Sequence, residues 1–325
     1  MMALSGMDPP CYVVGVAIAL GRLFDWDAIK INRPAVHAGM GLHLKNDGCF
    51  KGACMIHDGH TVTALVITKN EETHLSECLA SVIGWVDEVV VLDSGSIDRT
   101  KEIAEQYGAR FYQNLEWQGF GRQRQIAQDY VTSSWCFWLD ADERVTSALR
   151  DEILSVLRQG TANNVYAIPR LNWFFGRFIR YCGWYPKPVV RLYPLALTHY
   201  DDANVHEQVE IRDSFCVKTL VNDLMHYPYK DLRHYVTKSA SYANDWAKMK
   251  DAEGKKSSLV GAFFRAVLRF FRMYLFQKGM LDGKQGFLLC ALSSYYTFLK
   301  YAELWILGQD KEKELRNRHL QERQK

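Results

Sequence analysis

The stretch Trp138-Leu139-Asp140-Ala141-Asp142-Glu143-Arg144 holds the residues best suited to chemistry. An apolar run, Trp135 to Leu139, reads as a buried strand that delivers carboxylates at its carboxyl end. In open parallel α/β sheets, ligands bind in the crevice beyond the strand ends. Acidic side chains there suit a hard divalent cation, which takes oxygen ligands and often carries substrate phosphates. Alternation along an extended segment would point Asp140 and Asp142 to the same side. The alternative is that Asp142 and Glu143 cap the helix expected from Thr146 to Gln159.

Other residues invite a similar pair of readings. Asp93 precedes Ser94-Gly95-Ser96 and is either a hydrogen-bond acceptor for a ligand or the residue that builds the turn. Glu71 follows the first strand and either approaches a ligand or caps the helix starting near His74. Arg122 and Arg124 can fork onto phosphate oxygens with two parallel hydrogen bonds, or line a solvated helix face. Arg191 is a candidate for phosphate or acceptor binding. Trp173 and Trp184 are either core or an aromatic platform for a ligand. His226, before Tyr227-Pro228-Tyr229, is either a ligand or a structural histidine.

These residues need elements to hold them. Strands are expected at Val62–Thr68, Glu88–Leu92, Ala109–Tyr112 and Trp135–Leu139. Helices are expected at His74–Ile83, from Asp98 to about Tyr107, and at Arg122–Tyr130. Strands separated by helices of about ten residues imply βαβ units and a mostly parallel sheet. Beyond residue 160, strands are expected at Val165–Pro169, Val189–Tyr193, Val205–Ile211 and Val217–Met225. Helices then follow at Asp231–Lys250, Ser258–Phe276 and Gly286–Ile306. Residues 1–60 show no clear period and read as a poorly ordered extension, with Met55 a candidate start. The expected organisation is that extension, a catalytic α/β domain at 61–228, a helical region at 229–308 and a charged tail at 309–325.

A chain of 325 residues that is 48% hydrophobic and 24% charged can bury a sizeable core. Its formal charge of +3 gives no bulk reason to expect nucleic acid. The eight cysteines form no CxxC pair and scatter through apolar segments, as reduced buried thiols of a cytosolic protein do. The apolar run Cys11–Leu20 is too short to span a membrane.

Four segments stand in order: Thr68-Lys69-Asn70-Glu71-Glu72, Val91-Leu92-Asp93-Ser94-Gly95-Ser96, Gly121-Arg122-Gln123-Arg124-Gln125 and Leu139-Asp140-Ala141-Asp142. Together they resemble the family 2 glycosyltransferases, whose nucleotide-sugar domain has the GT-A fold, an α/β architecture. Three further segments resemble bacterial lipopolysaccharide core heptose glucosyltransferases: Val66-Ile67-Thr68-Lys69-Asn70-Glu71-Glu72, Asn204-Val205-His206-Glu207 and Leu281-Asp282-Gly283-Lys284-Gln285-Gly286-Phe287.

The resemblance implies sugar transfer from a nucleoside diphosphate to a hydroxyl, with UDP-glucose as donor and a lipid-linked core heptose as acceptor. It implies that Asp93, Glu71 and Thr68 meet the base or ribose, and that Asp140 holds the ribose directly or through the metal. Asp142 would bind Mg²⁺ or Mn²⁺, with His226 completing the metal or diphosphate site. Glu207 would be the general base, with His206 the second candidate, and inversion would follow. Where many relatives have an Arg-Asn pair, this chain has Arg124-Gln125. It also lacks the Glu-Asp pair many relatives use as base. The alternatives are another lipid-linked or polysaccharide acceptor, a nucleotidyltransferase, or a scaffold that kept the fold and lost catalysis. The nucleotidyltransferase would need a Gly-rich loop where Thr68–Glu72 has none.

From Lys255 to Lys278 there are six Lys or Arg and no acid. Phe263, Phe264, Val267, Leu268, Phe270, Phe271, Leu275 and Phe276 interleave with Arg265, Arg269 and Arg272. This pattern suits a helix in a membrane interface, or a core helix with a solvated stripe. The resemblance implies peripheral attachment at the cytoplasmic face of the inner membrane. A nucleic-acid surface is not expected, because the basic helix is heavily aromatic.

Overall fold

The computed structural model describes residues 59–160, 163–201, 209–210 and 215–322, with side chains as far as residue 311. The chain divides into two units between Cys49 and Phe50, and every described residue lies in the second. The expected extension therefore lies outside the described residues except for Gly59 and His60.

Four strands form the parallel half of the sheet: β1 (Val62–Thr68), β2 (Glu88–Asp93), β3 (Arg110–Gln113) and β4 (Trp135–Asp140). Their order is β3-β2-β1-β4, and each adjacent pair is parallel. Helices α1 (Leu75–Ala80), α2 (Thr100–Gln106), α3 (Phe120–Gln128) and α4 (Ser147–Gln159) cover both faces. That is why β1, β2 and β4 read as continuous apolar runs rather than as alternating ones. Val62, Ala64, Val66, Phe137 and Leu139 pack with Leu75, Ile103, Leu149 and Ile153 in one layer. Leu65, Leu92, Cys136 and Trp138 pack with Ala127 of α3 in the other.

Beyond β4 the sheet turns antiparallel. β8 (Pro188–Pro194) runs against β4, and the eleven-residue β6 (Asn164–Phe174) runs against β8. The other pairings of β6 are parallel with β9 (Cys216–Thr219) and β10 (Leu224–His226), and antiparallel with β7 (Arg177–Ile179). Strand β5 (Glu143–Val145) closes on β10. The single strand expected at Val217–Met225 is thus two strands. The reason is local: the Val221 and Asn222 N–H groups donate to the Glu152 carboxylate of α4 at 2.8 and 2.9 Å instead of entering a ladder. Of the strand expected at Val205–Ile211, Val209 is described and bridges Tyr200.

Three helices follow: α5 (Leu232–Ala252), α6 (Leu259–Phe271) and the long α7 (Gly283–Glu322). A π turn (Arg272–Phe276) and a 3-10 turn (Gly279–Asp282) join α6 to α7. Side-chain caps begin α5 and α6, since Asp231 accepts from the His234 N–H at 2.7 Å and Ser258 from the Gly261 N–H at 3.1 Å. Helix α7 is longer than the expected Gly286–Ile306 and carries the backbone into the charged tail. Residue 228 marks a change of element type rather than a break in packing. Phe174, Ile179 and Cys182 share one buried cluster with Tyr235, Met273, Leu289 and Cys290.

The segment Leu281–Phe287 is a clasp in this joint. The buried Asp282 carboxylate accepts from the Arg180 and Tyr181 N–H groups at 3.2 and 2.8 Å, tying the chain after β7 to the start of α7. Gly286 is required there because a Cβ would overlap the Gly279 carbonyl oxygen. Backbone cannot yield as a flexible side chain would. Gly286→Ala is expected to destabilise the protein by about 1–3 kcal/mol, measured as a lower urea midpoint at unchanged slope.

Candidate active site

Asp140 is the last residue of β4, and the chain then turns at Ala141–Asp142. Arg144 holds that turn by donating to the Ala141 and Glu143 carbonyls, both at 2.9 Å. The Tyr227 N–H donates to the Asp142 carbonyl at 2.8 Å. Strand alternation stops here, so Asp140 and Asp142 reach different partners rather than sharing one. Neither Asp142 nor Glu143 caps α4. Thr146 does, accepting from the Leu149 N–H at 3.1 Å.

Asp140 lies in an arginine clamp. One carboxylate oxygen accepts from Arg124 of α3 at 2.7 Å, and the other accepts from Arg191 of β8. Arg191 also donates to Glu143 at 2.9 Å, and Arg170 of β6 stands 3.5 Å from the same Glu143 oxygen. The second Glu143 oxygen accepts from the Asp140 N–H at 2.9 Å. Arg124, Arg191 and Glu143 are buried. Burial would raise the Asp140 pKa, but Arg191 and Arg124 beside it hold the carboxyl well below its usual range. Burial alone would depress Arg191, and the same carboxylates hold it well above its usual value. Three guanidinium groups thus face two carboxylates, and the surplus is positive. Arg170 Nε and Arg191 Nε have no hydrogen-bond partner among the described residues. Arg191, expected as a ligand contact, is here first a clamp for Asp140 and Glu143.

Asp142 meets a different set. Its Oδ2 is 3.3 Å from His226 Nε2, at the end of β10. His226 Nδ1 is 2.6 Å from the Asn172 Oδ1 of β6, and the two residues are in register. A nitrogen facing a carbonyl oxygen carries the ring proton, so in the neutral imidazole the Nε2 lone pair faces the Asp142 carboxylate. Two acceptors at that distance repel unless a proton or a cation joins them. A metal-bound histidine is oriented in this way by a carbonyl behind its other nitrogen. Among the described residues no group of three or more His, Cys, Asp or Glu side chains could hold a metal ion. The pair still fits one, since Mg²⁺ is often bound by one or two protein groups plus substrate phosphates.

Glu71 stands beside this pair. Burial, then the Asp142 charge, push its carboxyl up to about 7. Thr68 and Asp93 end adjacent strands and touch each other at 3.1 Å. Asp93 is fully buried, and its oxygens also accept from the Gly95 and Ser96 N–H groups, the Ser96 hydroxyl and Gln113. Burial would raise its pKa, but the Ser96 bonds outweigh that and lower it. Asp93 therefore builds the Ser-Gly-Ser turn. A base contact would have to displace one of these donors.

Arg122 is not brought to the carboxylates. It is exposed on α3 and donates to Gln125 at 2.8 Å. Two residues from Arg124, it points to another side of the helix, where side chains turn about 100° per residue. Gln125 donates to the Tyr200 carbonyl at 2.8 Å, fastening α3 to the chain after β8. Trp184 packs on Phe174 and Tyr229, and Trp173 on Phe178 and Tyr227. Glu207 and His206 lie outside the described residues. Sequence reading missed Glu143, Arg170, Asn172 and Gln113. Gln113 is the register partner of Asp93, and Asn172 of His226, so only strand pairing could have pointed to them.

Residues 63–198 match the family model described as Glycosyl transferase family 2. That stretch is a family 2 glycosyltransferase domain, and the chain is a glycosyltransferase. It is 27% identical over 256 residues to the lipopolysaccharide core biosynthesis glycosyltransferase LpsC of Rhizobium meliloti, covering 75% of this chain and 92% of LpsC. It is 27% identical over 257 residues to an uncharacterized glycosyltransferase of Rickettsia felis, covering 75% of this chain and 89% of the relative. Among solved structures it is similar to S. aureus TarS 1–349 in complex with UDP-GlcNAc. The identity there is 12%, the coverage 78% of this chain and 92% of that one, and the TM-score 0.41.

Two tests follow from the geometry. Arg191→Met removes the cation shared by two carboxylates and is expected to cost about 3–5 kcal/mol of stability, read from urea unfolding. Glu71 carries a pH signature. Below 4.5 it is protonated whether folded or unfolded, and as pH rises through 7 the folded chain must hold a half-buried anion. Stability is therefore lost with rising pH over that interval. In chelator-treated protein, Glu71→Gln is expected to melt higher than wild type at about pH 8, with the gap closing by about pH 4.

Proposed function

We propose that this chain is an inverting, metal-dependent hexosyltransferase acting at the cytoplasmic face of the inner membrane. It would move a hexose from a UDP-sugar, glucose by the family resemblance, to a heptose of the lipopolysaccharide core. The observation that carries the reading is the Asp142–His226 pair, 3.3 Å apart, beside an arginine cluster of surplus positive charge. A diphosphate needs both features. The likeness to LpsC supports a lipopolysaccharide acceptor.

The chain's own groups would divide the work. Arg124, Arg170 and Arg191 offer a fixed positive field to the diphosphate, kept in place by Asp140 and Glu143. Asp142 and His226 would hold Mg²⁺ or Mn²⁺, which when bound offsets the charge developing on the leaving group. Thr68, Glu71 and Asp93 would line the nucleoside side. Glu207, with His206 as the second candidate, would take the proton from the acceptor hydroxyl as that oxygen attacks the anomeric carbon. The new C–O bond forms on the face opposite the departing UDP, which inverts the centre.

A donor panel with Mg²⁺ or Mn²⁺ tests this. UDP-sugar binding by calorimetry is expected to depend on the metal and to be lost in Asp142→Ala. Glu207→Gln is expected to keep donor binding and to lower transfer by about 10²-fold or more. Transfer at the wild-type rate in Glu207→Gln would remove the base assignment.

A further inference from the structure

Helix α6 is assembled inside out for a helix that faces water. Its buried residues are the small ones, Ala262 and Ala266, and the Ala266 carbonyl accepts from the Ser294 hydroxyl of α7 at 2.6 Å. Its large residues point outward. Phe263, Phe264, Leu268 and Phe271 are all exposed, and Leu275 and Phe276 of the π turn continue the row. Phe276 is 82% exposed and Leu268 68%. Val260, Met280 and Leu281 extend the face at either end. Scattered surface apolar residues need no explanation, but a contiguous patch rimmed by charge marks an interaction site. An outward apolar row beside basic side chains is the pattern that an interfacial helix needs.

The rim identifies the occupant. Between Lys255 and Lys284 the exposed charges are Lys255, Lys256, Arg265, Arg272, Lys278 and Lys284, while the one acid, Asp282, is buried. A second copy on this face would set cations against cations, which opposes a two-fold contact. A nucleic acid would complement the charge and leave the phenylalanines in water. Anionic phospholipid answers both features, since headgroups meet the basic rim and acyl chains take the aromatic side chains. No helix among the described residues is long and apolar enough to cross a membrane.

We propose that α6, the π turn and the 3-10 turn form a docking face for an anionic bilayer, with the phenylalanine row inserted at the headgroup boundary. The inference stands on the helix face alone. Only its use, bringing the enzyme to a lipid-borne acceptor, rests on the proposed function.

The test is flotation of the full chain with vesicles of phosphatidylcholine alone or with about a third phosphatidylglycerol, with no donor or acceptor present. Wild type is expected to float with the anionic vesicles and far less with neutral ones. Phe264→Ser with Leu268→Ser is expected to lower the partition coefficient at least about tenfold. Arg272→Glu with Lys278→Glu is expected to weaken anionic binding by about fivefold or more per charge, an effect that shrinks in high salt. Both variants should bind donor as wild type does, which separates this result from the fate of the catalytic reading. Phe276→Ser, at the most exposed site, stands in if the double apolar variant melts early. Three outcomes would overturn the proposal: wild type staying with the aqueous fraction, variants floating as wild type does, or a wild-type dimer that the apolar variant splits without any vesicle binding.

Discussion

The buried contact of Asp140 and Glu143 with Arg124, Arg170 and Arg191 is the constraint on which the site depends. It joins five elements of the chain: β4, β5, α3, and the antiparallel strands β6 and β8. Desolvated charges are costly singly and tolerable only as a matched group. Their geometry is therefore strict, and it fixes where the neighbouring turn can place Asp142. Because cations outnumber anions, the cluster remains attractive to a further anion after satisfying its own carboxylates.

The separation of Asp140 from Asp142 gives the two carboxylates different electrostatic lives. Asp140 is saturated by guanidinium groups. Asp142 faces His226 and stands near Glu71, so two carboxylates share that corner within the field of Lys230. A positive patch and a negative corner side by side suit a diphosphate together with its counter-ion better than they suit either alone. Burial pushes Glu71 up by the same logic, since a second anion beside Asp142 has little solvent to shield it.

Much of this was legible in the sequence. The parallel strands and the helices between them follow from apolar runs of the right length, and β1, β2, β4 and α5 lie within a residue or two of expectation. The charged edge of the sheet was legible as a place, since Asp140, Asp142 and Arg124 were all expected there. Its wiring was not. The two-residue turn that parts the carboxylates is held by Arg144 and by the Tyr227 N–H, contacts that no local pattern reveals. Asp93 reads equally as ligand or turn builder until its five donors are seen. Asn172 and Gln113 owe their places to strand register, which pairing across the sheet determines. Arg122 and Arg124 look alike in sequence, and only the turn of the helix tells them apart.

Strand β6 carries Arg170, Asn172 and Phe174 at alternate positions, and so on one side. The first belongs to the charged cluster, the second orients His226, and the third lies in the core shared with the helices. Four residues of extended chain span roughly 13 Å, with no loop between them to absorb movement. Whatever the helical end rests upon, the height of the charged cluster above that support is a built-in dimension. On the proposed function, such a molecule would work as a gauge, reaching those hydroxyls that project a set length from where it stands.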